Sequence, residues 1–170
     1  NLIKTIHKNH KADYDLIIIG AGPAGISASL TAKKHNINFK TLDQDTLGGT
    51  VYTFPRSKLV MTSPLDLPLH GKVKLFETSK PELLSLWESV LNKHNIKIQE
   101  NTKVDKIEKS DDYFQIHTNN EVIISSNKIL LAIGRRGTPR KLGIEGENSQ
   151  KVAYRLLEPE EINGKKIIVV

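Results

Sequence analysis

The 170-residue chain is 38% hydrophobic and lacks cysteine, and its length fits one generous domain or one domain with part of another. No apolar run approaches the roughly 20 residues of a membrane-spanning helix, so we expect no membrane contacts. The absence of cysteine suits a reducing cytosol, where we expect the protein, and it leaves no thiol within these residues to carry electrons. The net charge of +6 comes from 25 basic and 19 acidic residues that are interspersed, which argues against nucleic acid as a partner.

Residues 1–13 have the composition of a polar leader or linker with little core. His7 and His10 have a spacing that could hold a metal ion on a helix, but no third ligand accompanies them. We therefore predict no metal site, and we expect the folded domain to begin at residue 14.

A buried strand is predicted at 16–19, where four consecutive apolar residues precede a G-x-G-x-x-G motif. Gly20 permits a tight turn out of the strand, and Gly22 has no side chain to hold a pyrophosphate away from the backbone. Gly25 lets the following helix lie close against the sheet. This arrangement predicts a dinucleotide site.

The helix after the motif is predicted to begin near Pro23 and Ala24, because proline suits a first helical turn. Its N-terminus would direct free N–H groups and a partial positive charge towards a diphosphate. A second strand-like run occupies residues 37–43, and Asp43 at its end follows Gly25 by 18 residues. A carboxylate there accepts hydrogen bonds from a ribose 2′-OH and repels a 2′-phosphate, which favours FAD or NAD over NADP.

The loop after Asp43 begins with Gln44 and continues to Gly48, Gly49 and Thr50, where the paired glycines allow the backbone to approach a flat ligand. Residues 51–71 show no sustained period, and we interpret them as a long irregular segment of functional importance.

A second helix is predicted after Ser79, which forms a capping-box pattern with Glu82. Trp87 falls on the apolar face of this helix, so we expect it in the core. The helix should stop at His94 and Asn95, and a strand should follow at 96–98. Two strand–helix–strand repeats predict a parallel sheet with helical crossovers.

The hydrophobic period changes to two after Lys103, and three short antiparallel strands are predicted around 104–107, 113–117 and 122–124. A separate buried strand should follow at 128–134. A last buried strand is predicted at 167–170, and since a strand without neighbours is a poor domain end, we expect the chain to be a fragment.

These motifs resemble the FAD-dependent pyridine nucleotide-disulphide oxidoreductases, in particular the thioredoxin-reductase-like branch and its bacillithiol-disulphide-reductase-like and ferredoxin–NADP-reductase-like members. The resemblance covers about residues 14–170. It rests on the first glycine motif with Asp43, on the Gly48–Thr50 loop, on the second motif at Ile129–Gly134, and on the trailing Leu142–Glu147.

The resemblance implies an α/β, Rossmann-like FAD/NAD(P)-binding fold with a parallel sheet, helical crossovers and a three-stranded antiparallel β-meander. Residues 14–150 would form the N-terminal portion of an FAD-binding domain, and residues 151–170 a connector and the first strand of an NAD(P)H-binding domain. The implied cofactor-binding residues are Gly20, Gly22, Pro23, Ala24, Gly25, Asp43, Gln44, Gly48, Gly49, Thr50, Val104, Ala132 and Gly134.

The implied function is that of the FAD-binding portion of an NAD(P)H-dependent oxidoreductase, which passes a hydride from NAD(P)H to FAD and on to a small-molecule or protein acceptor. This fragment alone is expected to be inactive, and no side chain stands out as catalytic. The family commonly forms dimers, which leaves a homodimer open. The alternatives are a non-catalytic dinucleotide-binding sensor or scaffold module in a larger fusion and, on charge alone, an RNA-modifying flavoenzyme.

Overall fold

The computed structural model describes residues 12–55, 58–61, 64–75, 77–135, 140–154, 156 and 158–169. Most of its regular structure is β-strand, together with two α-helices. In chain order the strands are β1 Tyr14–Ile19, β2 Phe39–Leu42, β3 Leu59–Met61, β4 Leu65–Leu67, β5 Gly71–Val73, β6 Glu77–Ser79, β7 Ile98–Gln99, β8 Val104–Lys109, β9 Phe114–Thr118 and β10 Ile123–Leu131. The helices are α1 Pro23–Lys34 and α2 Lys80–Lys93, and a short 3₁₀ helix occupies Pro159–Ile162.

A six-stranded sheet in the order β7-β2-β1-β10-β9-β8 organises the domain. Strands β7, β2, β1 and β10 run parallel, and β10, β9 and β8 run antiparallel. The predicted α/β class, the parallel sheet and the antiparallel meander are therefore confirmed. The carboxyl ends of β1, β2 and β10 meet at one edge, where open α/β sheets bind their ligands.

The predictions for 122–124 and 128–134 as two strands are wrong, because β10 runs without interruption from Ile123 to Leu131. Its first half pairs antiparallel with β9 and its second half parallel with β1. The polar residues between the halves resemble a turn in sequence, but Ser126 and Asn127 are buried, and Asn127 donates to the Asp15 carboxylate. This bond to a residue 112 positions away gives the Asn127 amide group a partner inside the sheet, where a buried polar group needs one.

The core lies on both faces of the sheet. Ile17 packs with Ile116 and Ile124 on one face, whereas Leu16 and Ile18 pack on the other face. This alternation along β1 is the two-residue period of a strand. The largest cluster lies between the two helices and the segment after β2, and it contains Ile26, Leu30, Val51, Leu67, Leu83, Trp87, Val90, Leu91 and Ile96.

Helix α2 is built as its sequence predicts. Ser79 Oγ accepts from Glu82 N at 3.4 Å, and Glu82 Oε2 accepts from Ser79 N at 2.9 Å, so both halves of the capping box form. The backbone N–H of Ser79, followed by the hydroxyl groups of Ser79 and Thr78, holds the pKa of the Glu82 carboxyl below its usual value. Trp87 is 3% exposed, which confirms its place in the core. After the helix Asn95 takes a left-handed φ of 52°, a conformation that asparagine tolerates.

The segment 51–71 was predicted to be irregular, and it instead contains short strands whose partners lie in part beyond it. Strand β3 pairs with β6, and β4 pairs with β5, both antiparallel. The pairing residue for Leu59 is Ser79, twenty positions along the chain, so no local period announces the strand. These short strands are therefore formed by pairing with distant residues and are not marked by a local sequence pattern.

The two ends of the described region differ from the sequence prediction. Asp13 was assigned to the leader, but its carboxylate accepts from Ser125 N at 3.0 Å and from Ser125 Oγ at 2.6 Å, which ties it to β10. His7 and His10 lie outside the described residues. The strand predicted at 167–170 is not formed over 165–169, where Ile168 is 91% exposed, and Val170 lies outside the described residues. Neither helix combines the length and the apolar character needed to cross a bilayer, as far as the described residues extend.

Candidate functional site

A cleft of about 660 Å³ opens at the carboxyl ends of β1, β2 and β10. It is lined by the glycine loop after β1, the start of helix α1, the loop after β2, the start of β8 and the residues that follow β10. The sheet topology therefore brings both glycine motifs of the sequence to one cavity.

The three glycines of the first motif perform different tasks. Gly20 has φ +107°, and a methyl group on it would overlap the carbonyl oxygen of Ala132. A methyl group on Gly25 would overlap the carbonyl oxygen of Gly20, so helix α1 can approach the strand only without a side chain there. A methyl group on Gly22 would meet no atom within 4 Å, since this residue borders the open cleft.

The peptide of Ala21 holds the glycine loop in place. Its N–H donates to Asp43 Oδ2 at 2.6 Å, and its carbonyl accepts from Gly48 N at 3.0 Å. Gly49 lies close by, because a methyl group on it would come within 3.3 Å of Gly22 Cα. The loop is thus fixed from two sides before any ligand arrives, which reduces the ordering cost of binding.

Asp43 lies at the end of β2 and lines the cleft, although it is only 7% exposed. Its Oδ1 accepts from Asp45 N at 2.9 Å, in addition to the bond from Ala21. A carboxylate offers about four lone-pair positions, so two remain for a ligand. The backbone of Asp43 is held as well, with its N–H bonded to Gln99 O and its carbonyl to Thr102 N.

The N-terminus of helix α1 receives no side-chain cap from any residue that the structure describes, and its first turn contains no acid. Helix α2 provides an internal comparison, because it also carries an early proline but is closed by a complete capping box. The first-turn N–H groups of a helix need acceptors from outside the helix. At α1, Pro23 and Ala24 border the cleft, so a ligand in the cleft can supply these acceptors.

Of the predicted site residues, all but two line the cleft. Gly25 lies beneath it against Gly20. Gly48 is buried, has φ +101°, and would overlap Leu84 of α2 if it carried a methyl group. Neither residue therefore lines the cleft, although Gly25 packs the helix against the strand as predicted. Each glycine is explained by close packing of protein against protein.

Several lining residues escaped the sequence analysis. Six of them adjoin a predicted residue, namely Ile19, Asp45, Lys103, Leu131, Ile133 and Arg135, whereas Thr53 and Thr102 lie in loops two or three positions from one. Lys103 forms an ion pair with Asp105, with 2.7 Å between Nζ and Oδ1. Lys103 and Arg135 could have been predicted as site residues, because Lys103 directly precedes Val104 and Arg135 directly follows Gly134.

Comparison with known proteins identifies the relatives of this chain. The sequence profile of the family described as pyridine nucleotide-disulphide oxidoreductase matches residues 17–170. A ferredoxin–NADP reductase of Picrophilus torridus is 31% identical over 163 residues, which cover 93% of this chain and 46% of that protein. A ferredoxin–NADP reductase of Ignicoccus hospitalis is 26% identical over 156 residues, or 92% of this chain and 48% of that protein.

Solved structures similar to this chain include two reductases. The thioredoxin reductase of T. acidophilum is 27% identical with a TM-score of 0.60, over 81% of this chain and 40% of that one. The bacillithiol disulfide reductase of Staphylococcus aureus is 23% identical with a TM-score of 0.67, over 82% of this chain and 44% of that one, which shows the fold alone. The chain spans about half the length of the curated relatives it matches.

Proposed function

Because this chain belongs to the pyridine nucleotide-disulphide oxidoreductase family, we propose that its cleft binds FAD and that the protein acts in electron transfer from NAD(P)H. FAD supplies the hydride-accepting chemistry when it is bound, and the protein supplies position and electrostatics. Relatives named ferredoxin–NADP reductase and thioredoxin reductase favour a small redox protein as the electron acceptor.

The observation that carries this proposal is the open N-terminus of helix α1 beside Gly22. An uncapped helix start attracts an anion through its free N–H groups and its partial positive charge. Gly22 leaves space for the anion to approach the backbone. A diphosphate fits this place, because it is an anion with several acceptor oxygens.

Asp43 fixes the orientation of the ligand in this proposal. Its two remaining lone-pair positions would accept the hydroxyl groups of the adenosine ribose, and its negative charge would disfavour a 2′-phosphate. The adenine would then lie towards Thr102 and Val104, and the diphosphate towards Pro23 and Ala24. Thr50 and Gly134 would contact the parts of the cofactor beyond the diphosphate.

NAD(P)H binding belongs to a second domain in this proposal, with residues 14–150 as the FAD-binding part and residues 151–170 as the connector to that domain. A cytoplasmic location and a homodimer are part of the same hypothesis, which follows the family resemblance. No residue is assigned a catalytic role.

The test is the absorbance spectrum of the purified protein with and without added FAD. We expect flavin bands that bleach under anaerobic conditions when NADH or NADPH is added to a chain that includes the second domain. The Gly22→Ala variant should fold like the wild type but lose flavin. Its methyl group would enter the space proposed for the diphosphate without touching any protein atom within 4 Å. Wild-type protein that is folded, colourless and unable to take up FAD would contradict the proposal. Bound flavin that neither nicotinamide reduces would favour the non-catalytic module instead.

A further inference from the structure

We propose that Arg135 is a binding residue for the diphosphate of the dinucleotide, an inference that rests on the proposed function. In the proposed function the first glycine motif and the uncapped helix would supply backbone donors to this group. Arg135, which lines the same cleft, would supply a side-chain cation. No sequence motif assigns a role to this residue.

The position of Arg135 follows from how β10 ends. Beyond the strand, Ala132 N donates to Ile19 O at 2.7 Å, so the chain stays beside β1 for one more residue. The carbonyl of Ala132 then lies against Gly20, close enough to exclude a methyl group there. Gly134 has φ +66° and turns the chain, which leaves Arg135 in the lining of the same cleft.

The charges around the cleft favour a cation in this role. Among the described lining residues, Asp43 and Asp45 are acidic, and Lys103 and Arg135 are basic. The ammonium group of Lys103 is engaged by Asp105, a residue outside the cleft lining. Arg135 has no ion-pair partner within the part of the chain that the structure describes.

A dinucleotide diphosphate adds about two negative charges to a cleft that already contains two carboxylates, whereas a helix N-terminus contributes only about half a positive charge. A guanidinium group is suited to this deficit, because its planar donors match two phosphate oxygens at once and it stays ionised at any physiological pH. The simpler alternative is that Arg135 is a solvated surface cation without a ligand. The two interpretations predict different binding data.

The experiment measures binding of ADP, adenosine and FAD to the full chain by titration calorimetry, in wild type, Arg135→Gln, Arg135→Lys and Arg140→Gln. We expect Arg135→Gln to weaken ADP and FAD binding by about tenfold, as the loss of a charge-assisted contact does. Adenosine binding should stay within about twofold, since adenosine has no phosphate. Arg135→Lys should lose less than Arg135→Gln, because it keeps the charge but not the planar fork.

Arg140→Gln is the matched control for charge, because Arg140 is exposed five positions along the chain and does not line the cleft. It should change ADP binding by less than about twofold. The loss in Arg135→Gln should also shrink at high salt, since exposed charges are screened.

The outcomes separate this inference from the proposed function. If Arg135→Gln binds ADP as wild type does, or loses adenosine equally, the inference is wrong even where FAD still binds. If wild type binds ADP but not FAD, the flavin proposal fails, and the ADP series still decides the role of Arg135. If wild type binds neither, both are overturned.

Discussion

Replacing Asp43 with asparagine tests the double role that the structure gives this residue. The carboxylate accepts from Ala21 N and from Asp45 N, one bond on each oxygen. Asparagine has the same shape but only one oxygen, so its NH₂ group must face one of the two backbone donors. One N–H, that of buried Ala21 or of exposed Asp45, then loses its acceptor, and the other loses a charge-assisted bond.

The expected cost follows from those two bonds. A hydrogen bond to a charged group contributes about 1.5–3 kcal/mol, and an unsatisfied buried donor costs about 1–3 kcal/mol. Because these terms overlap, we expect the free energy of unfolding to fall by about 2 kcal/mol. For a chain of this size, 1 kcal/mol corresponds to about 2–4 °C, so the Tm should fall by about 4–8 °C. ADP affinity should fall by at least about tenfold, since the ribose also loses its acceptor.

The assay is urea and thermal unfolding followed by the fluorescence of Trp87, the only tryptophan in the sequence. Asp66→Asn is the control, because it removes the same charge from an exposed residue of β4. An Asp43→Asn protein with the Tm of wild type would refute the argument that Asp43 holds the glycine loop. An unchanged ADP affinity would refute its assignment to the ribose.

Further substitutions test the packing around the site. Gly25→Ala should lower the free energy of unfolding by about 3 kcal/mol because its methyl group overlaps a backbone carbonyl, which unfolding measurements will show. Gly22→Ala should keep the wild-type Tm but lose flavin, which absorbance will show. Ser29→Ala and Thr41→Val remove partners of one buried hydroxyl pair at 2.8 Å, so the double variant should be more stable in urea than the sum of the single losses predicts. Glu82→Gln removes a carboxylate whose pKa is lowered in the folded protein. This carboxylate stabilises the folded state fully above the ordinary glutamate pKa, and the stabilisation is lost as the pH falls through the lowered pKa. The unfolding free energy of the variant should therefore differ from that of wild type at neutral pH and converge with it in acid, and equal pH dependence of the two proteins would contradict this.

The parts of the fold that the sequence predicts well are those with local causes. Helix α2 is marked by Ser79 and Glu82 at its start and by Asn95 after its end, and all three act as their positions suggest. The strand before Gly20 is likewise predicted by an unbroken apolar run. Such signals concern residues within one turn or one strand, so no tertiary information is needed.

The errors arise where distant residues decide the structure. The polar stretch inside β10 looks like a turn, but Asp13 and Asp15 from the start of the chain supply its hydrogen bonds. The sequence also identifies glycines without showing their partners. Gly48 was assigned to a ligand, and its neighbour proves to be Leu84 of α2. Arg135 reaches the site only because β10 lies beside β1 in the sheet.

The place of Asp43 can be traced to the alternation of side chains along β2. Thr41 and Asp43 are two residues apart, so both side chains point to the same face of the sheet, the face that carries helix α1. Ser29 donates its proton to Gly25 O at 2.7 Å, so the hydroxyl of Thr41 must donate to Ser29. One strand therefore holds the first turn of the helix through Thr41 and the preceding loop through Asp43. A shift of β2 by one residue would turn both side chains to the opposite face, and the N–H of Ala21 in the glycine loop would lose Asp43 as its acceptor before any ligand is considered.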